Sequence, residues 1–153
     1  MGEDLYEKIL DNISAIILSE KQRDKALNDI AVLLKNEVFH YDWVGFYILD
    51  ESENGLELGP FSGAPTQHTF IPVGKGICGQ VALNKEGMIV QDVSQVENYL
   101  SCSIDVQSEI VVPILKNNKF VAEIDIDSHS PAPFGDFDLK LLKNIGEKLV
   151  QYF

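Results

Sequence analysis

Two cysteines and three acids could do chemistry together: Cys78, inside Gly74-Lys75-Gly76-Ile77-Cys78-Gly79, then Cys102, and downstream Glu109, Asp125 and Asp127. A thiol that attacks an oxidised substrate needs a thiolate, a proton donor for the departing oxygen, and often a second thiol that clears the product from the first. Cys102 lies in the polar run Asn98-Tyr99-Leu100-Ser101-Cys102-Ser103, which suits a reactive thiol better than the small buried hydrophobe a free cysteine often is. Cys78 follows a glycine-rich turn, where it either packs or has its pKa lowered by the start of a helix. A free thiol has a pKa near ~8.5, and carboxylates beside it raise that value. Clustered acids also repel one another, so one of them is expected to stay protonated and to serve as the proton donor.

Period-two alternation in a strand places Asp125 and Asp127 on one face together with Glu123, while Ile124 and Ile126 face the core. Trp43 and Tyr47, four apart, share a strand face in the same way, and on pattern alone they read as core. Gly74-Lys75-Gly76 lacks the spacing of a P-loop or a dinucleotide fingerprint, so it is taken as a tight turn with no bound cofactor. His40 and His129 lack metal-ligand spacing, and no metal site is expected.

The elements that must position these residues follow from periodicity. Apolar residues recur at helical spacing from Leu5 to Val38, with a break at Ser19-Glu20-Lys21-Gln22, where Ser19 would cap the second helix. Strands are expected at 43–49, 56–58, 69–73, 88–90, 109–115 and 119–127, with Pro72 favouring a sheet edge. A short helix should run from Cys78 to Asn84, and 91–103 should be irregular with one helical turn. Asn117-Asn118 marks a tight hairpin because asparagine tolerates positive φ, and a last helix begins at Asp136. The expected fold class is α+β: an antiparallel sheet of about six strands, terminal helices on one face, and a loop-lined pocket on the other.

A chain of 153 residues with 45% hydrophobic and 24% charged residues suits a single domain spanning 1–153 with its own core. Its formal net charge of -12 repels nucleic acid and anionic membranes, and the acids are dispersed as on a solvated surface. The start Met1-Gly2-Glu3-Asp4-Leu5 has neither a signal-peptide pattern nor a myristoylation motif, and no apolar run is long enough to span a bilayer. A cytoplasmic location is expected, where two cysteines are catalytic, redox-active or buried rather than permanently bridged.

Five ordered blocks resemble the free methionine-(R)-sulfoxide reductases, small enzymes built on a GAF domain: Trp43-Val44-Gly45-Phe46-Tyr47, Leu58-Gly59-Pro60-Phe61, Ile71 to Gly79, Ser108-Glu109-Ile110-Val111-Val112-Pro113, and Ile124-Asp125-Ile126-Asp127-Ser128. The resemblance implies that Cys102 attacks the sulfoxide sulfur of free methionine-(R)-sulfoxide and that Glu109, Asp125 and Asp127 hold its oxygen and amine. It likewise implies that Trp43 and Tyr47 surround the methyl group, and it matches Cys78 to a second family cysteine. A thioredoxin-type donor would recycle the enzyme, with no bound metal or organic cofactor. Ten residues before Cys78 the family usually carries a third cysteine, where this chain has His68. Either Cys78 or an external thiol would then resolve Cys102. A non-catalytic GAF sensor binding a small molecule in the same pocket is the alternative, and exposed terminal helices leave a homodimer open.

Overall fold

Asn117 and Asn118 adopt left-handed backbone angles, φ 53° and 64°, and join β5 (Ser108–Lys116) to β6 (Lys119–Ser128) through a two-residue hairpin. Two consecutive left-handed residues give a turn whose twist matches that of the flanking strands. Lys116 therefore pairs with Lys119 and Leu115 with Phe120; the register then shifts by one residue, leaving Val121 unpaired, and continues with Ile114 opposite Ala122, Pro113 opposite Glu123, Val111 opposite Asp125 and Glu109 opposite Asp127. The computed structural model describes residues 2–97, 99 and 105–153.

Around this hairpin stands a six-stranded antiparallel sheet in the order β3-β2-β1-β6-β5-β4. The remaining strands are β1 (Trp43–Asp50), β2 (Gly55–Ser62), β3 (Phe70–Pro72) and β4 (Met88–Val90). β3 is an edge strand, as the missing N–H of Pro72 requires. β2 runs further than the 56–58 expected, because its irregular pairing lets it pass Pro60: Gly45 pairs with Phe61 but Tyr47 with Leu58, so two residues of β2 oppose Phe46 alone. Such a bulge tolerates a proline that a regular ladder would exclude.

Helices α1 (Glu3–Ser19), α2 (Arg23–Glu37) and α4 (Asp136–Leu149) cover one face, burying Ile13, Leu27, Ile30 and Leu142 against Phe46, Ile124 and Ile126. Ser19 does not cap α2 as expected. It is the last residue of α1, and its hydroxyl donates back to the carbonyls of Ala15 and Ile16. α3 (Gly76–Asn84) lies on the opposite face, with Ile77, Cys78 and Val81 packed among Trp43, Tyr47 and Val111. That face is thus roofed by a helix as well as by loops. A 3₁₀ turn over Val93–Gln95 is the helical turn expected in the irregular segment.

Asp138 joins the two ends of the helical layer. Its carboxylate accepts the Tyr41 hydroxyl at 2.5 Å, lies 3.0 Å from His40 Nε2, and accepts the amide of Gly135 at 2.9 Å, reaching back over the first turn of α4. Burial pushes this carboxyl up, but the hydrogen bonds from His40, Tyr41 and Gly135 outweigh it and hold the pKa below the ordinary aspartate value. A group whose pKa is depressed on folding stabilises the native state above its unfolded pKa, and the contribution is lost as pH falls through the folded value. Asp138→Asn is expected to cost about 1–3 kcal/mol at pH 7 in urea unfolding. The gap from the unsubstituted protein should narrow as the pH drops below ~4.

Candidate functional site

Strand β6 carries Glu123, Asp125 and Asp127 toward α3, between β1 and β5, and every one of them is buried. In register with them are Tyr47, Gly45 and Trp43 on β1, and Pro113, Val111 and Glu109 on β5. Glu109 and Asp127 are cross-strand partners, so the acids expected to act together do meet on one buried face. The apolar residues between them, Ile124 and Ile126, point into the helical core as alternation requires.

Two aromatic residues frame these acids. Trp43 stacks on Phe61 with ring centroids 5.4 Å apart and donates its indole N–H to the carbonyl of Ala64 at 2.9 Å. The ring lies across Gly45, where a Cβ would meet Trp43 ring carbons at 2.3 and 2.5 Å. Glycine opposite Asp125 is therefore what lets the indole cover this part of the sheet. Tyr47 donates its hydroxyl to the backbone carbonyl of His68 at 2.8 Å, tying the loop before β3 to the site.

Cys78 reaches the acids from above. α3 is pinned at its start by Gly79, whose amide donates to the Lys75 carbonyl and whose carbonyl accepts the Gly74 amide, each at 2.8 Å. A Cβ at Gly79 would stand 2.6 Å from the Pro72 carbonyl oxygen, so only glycine allows the helix this close to the strand. The Cys78 sulfur consequently sits 3.9 Å from Glu109 Oε2. One ligand-type atom from each of Cys78, Glu109 and Asp125 falls within 4.8 Å of the others.

The electrostatics differ from the expectation at Cys78. Burial, followed by the charges of Asp125, Glu123 and Glu109, pushes its thiol well above the ordinary value, so desolvation and three carboxylates defeat the helix start. Asp125 and Glu123 are also raised, each first by burial. Burial thus favours the protonated form of these two carboxyls, with loss of water ahead of repulsion from Asp125 as the cause at Glu123.

Glu123 is the acid whose weight the pattern underplayed. It shares the face of Asp125, and in the structure it is fully buried, with the Cys78 thiol as the hydrogen-bonding group beside its carboxyl. Cys102, expected as the nucleophile, lies outside the described residues. His68 lines a cavity with Tyr47, Lys75, Cys78, Glu109 and Asp125 whose open space is only about 10 Å³. A roomier cavity of about 490 Å³ adjoins Trp43 and Asp127 and is also bordered by Lys35, Gly63, Asp105 and His129. Asp127 lines the larger cavity, and Asp125, two residues along the same strand, lines the smaller one.

Comparison with known proteins settles the family. The model of the GAF domain matches residues 22–151. This chain belongs to the GAF domain family. The GAF domain-containing protein A of Dictyostelium discoideum is 36% identical over 143 residues, covering 94% of this chain and 89% of its own. The free methionine-R-sulfoxide reductase of Escherichia coli is 29% identical over 146 residues, covering 95% and 87%. Among solved structures, the free methionine-R-sulfoxide reductase of Neisseria meningitidis in complex with its substrate superposes with a TM-score of 0.93 at 31% identity, covering 100% of this chain and 92% of that one. The resemblance read from the five sequence blocks is borne out, and so is the α+β GAF architecture.

Within this GAF sheet Glu123 holds a costly place, because its carboxyl is fully out of water and a thiol offers it only a weak hydrogen bond, a shortfall of about 1–3 kcal/mol. Glu123→Leu is expected to raise stability by about that amount at pH 7 in urea unfolding. The unfolded chain ionises this carboxyl at a lower pH than the folded one, so the gain should grow as pH rises above the ordinary glutamate range. A loss of stability instead would mean that the carboxyl makes a favourable interaction.

Proposed function

We propose that this protein reduces free methionine-(R)-sulfoxide to methionine with Cys102 as nucleophile. The observation that carries the reading is the buried row of Glu109, Asp125 and Asp127 on adjacent strands, framed by Trp43 and Tyr47. The substrate-bound relative with a TM-score of 0.93 supports it. An amino acid sulfoxide offers an ammonium, a polarised S–O oxygen and a methyl group. Carboxylates suit the first, a protonated carboxyl the second, and aromatic rings the third.

In the proposed reaction the Cys102 thiolate attacks the sulfoxide sulfur while a carboxyl of the cluster donates a proton to the oxygen. Oxygen passes to the cysteine as a sulfenic acid, sulfur is reduced by two electrons, and methionine leaves. Asp125 is suited to the donation, since burial raises its pKa and favours its protonated form. A second thiol then condenses with the sulfenic acid, releasing water and forming a disulfide, and a thioredoxin-type dithiol returns two electrons and two protons. The burial of Cys78 and its raised pKa make it a poor thiolate, which favours an external thiol for the resolving step. No bound organic cofactor is needed.

The test is one turnover of reduced protein with the free sulfoxide, followed by mass spectrometry of the products and of the protein. Methionine should appear, Cys102→Ser should be inert, and no bridge between Cys78 and Cys102 should accumulate. Asp125→Asn should lower kcat/KM about 10²-fold or more, the usual span for loss of a positioned proton donor. Binding of the sulfoxide in a calorimeter with neither methionine nor thiol loss would replace this reading with a sensor that holds a small molecule in the same pocket.

A further inference from the structure

Cys78, Glu109 and Asp125 form a compact set of ligand-type atoms, all within 4.8 Å of one another and all buried. A tetrahedral zinc-type ion with bonds of about 2.0–2.3 Å needs its donors roughly 3.5 Å apart, so the three would draw in around it from the 3.9 Å between the Cys78 sulfur and Glu109 Oε2 and from separations of at most 4.8 Å within the set. Clustered acids alone would not point to a ligand. A separate observation does: Asp125 is 1% exposed and lines the same cavity, and its Oδ1 is buried with no hydrogen-bond partner.

The shape of the space agrees with a small occupant. The cavity on which Cys78, Glu109 and Asp125 converge offers about 10 Å³, on the order of a single water-sized sphere. A bare ion fits there, whereas an organic ligand requires the walls to move. Lys75 also lines the cavity and supplies one positive charge against a thiol and several carboxyls. The donor set selects the kind of ion. Sulfur with a few oxygens suits zinc and its thiophilic neighbours, whereas magnesium and calcium favour shells of six or more oxygens.

We propose that Cys78, Glu109 and Asp125 bind a thiophilic divalent cation of the zinc class. The sequence had offered no metal site, because the donors come from three separate elements and include no histidine. Binding exchanges the thiol and carboxyl protons for the ion, with no change of oxidation state. An ion held there occupies carboxylates that the substrate would use, so it inhibits turnover; that consequence rests on the reductase reading, while the binding does not.

Reduced protein titrated with Co2+ provides the test, because a cobalt–thiolate bond has a charge-transfer band in the near ultraviolet. One equivalent should produce the band, Zn2+ should abolish it by displacement, and excess Mg2+ should leave it unchanged. Cys78→Ser should lose the band and Cys102→Ser should keep it, with circular dichroism confirming that both variants are folded. Asp125→Asn should weaken Co2+ binding about tenfold or more, at least the loss seen when groups supporting a metal are removed. No band in the unsubstituted protein, or a band that survives Cys78→Ser, overturns the site. Co2+ binding through Cys78 in a protein without sulfoxide turnover would overturn the reductase reading and leave the metal site standing. Normal turnover without the band would do the reverse.

Discussion

Strand β6 must serve two interiors at once, and the rest of the molecule is arranged around that constraint. Ile124 and Ile126 belong to the core under α1, α2 and α4, while Glu123, Asp125 and Asp127 are buried on the other side beneath α3. Carboxyls are expensive to take out of water, so this second face can exist only where the first is strongly apolar. Burial of Ile13, Leu27, Ile30, Leu142 and their neighbours supplies about 1.5–3 kcal/mol for each large side chain. The helical layer is in this sense what permits a site of buried acids.

Much of this was legible in the sequence because its signals are local. Alternation along Ile124-Asp125-Ile126-Asp127 assigned both faces of β6, the Asn117-Asn118 pair assigned the hairpin, and Pro72 marked an edge strand. Three features were not legible. The passage of β2 through Pro60 depends on a bulge opposite Phe46, which no propensity of Gly59 or Pro60 announces. Ser19 has the type and spacing of a cap, but α1 runs one turn far enough to absorb it. The descent of α3 onto the acids depends on the missing side chain of Gly79 against the Pro72 carbonyl, a contact between elements.

The candidate site divides in the same way. Glu109, Asp125 and Asp127 could be grouped from strand periodicity plus one pairing, and the structure brings them together. Cys78 was expected to gain acidity from its helix start, and the opposite holds because its neighbours come from β5 and β6. A local rule for helix ends does not know what a helix end is pressed against. Glu123 was visible on the right face, but its burial against the Cys78 thiol is a property of the packed interior and not of the strand.

The turn at Asn117 and Asn118, with the one-residue shift in pairing that follows it, sets which face of β6 is which. Slippage of β6 by one residue would exchange its faces, sending three acids among the leucines and isoleucines of the helical layer and bringing isoleucines under α3. Such a chain could not dock its helices at all. The turn and the one-residue shift therefore decide together which face the acids take, and the helical layer can dock only on a chain in which both have formed. The chemistry of this site can consequently change by exchange of side chains, whereas an added or lost residue in β6 would exchange the two interiors.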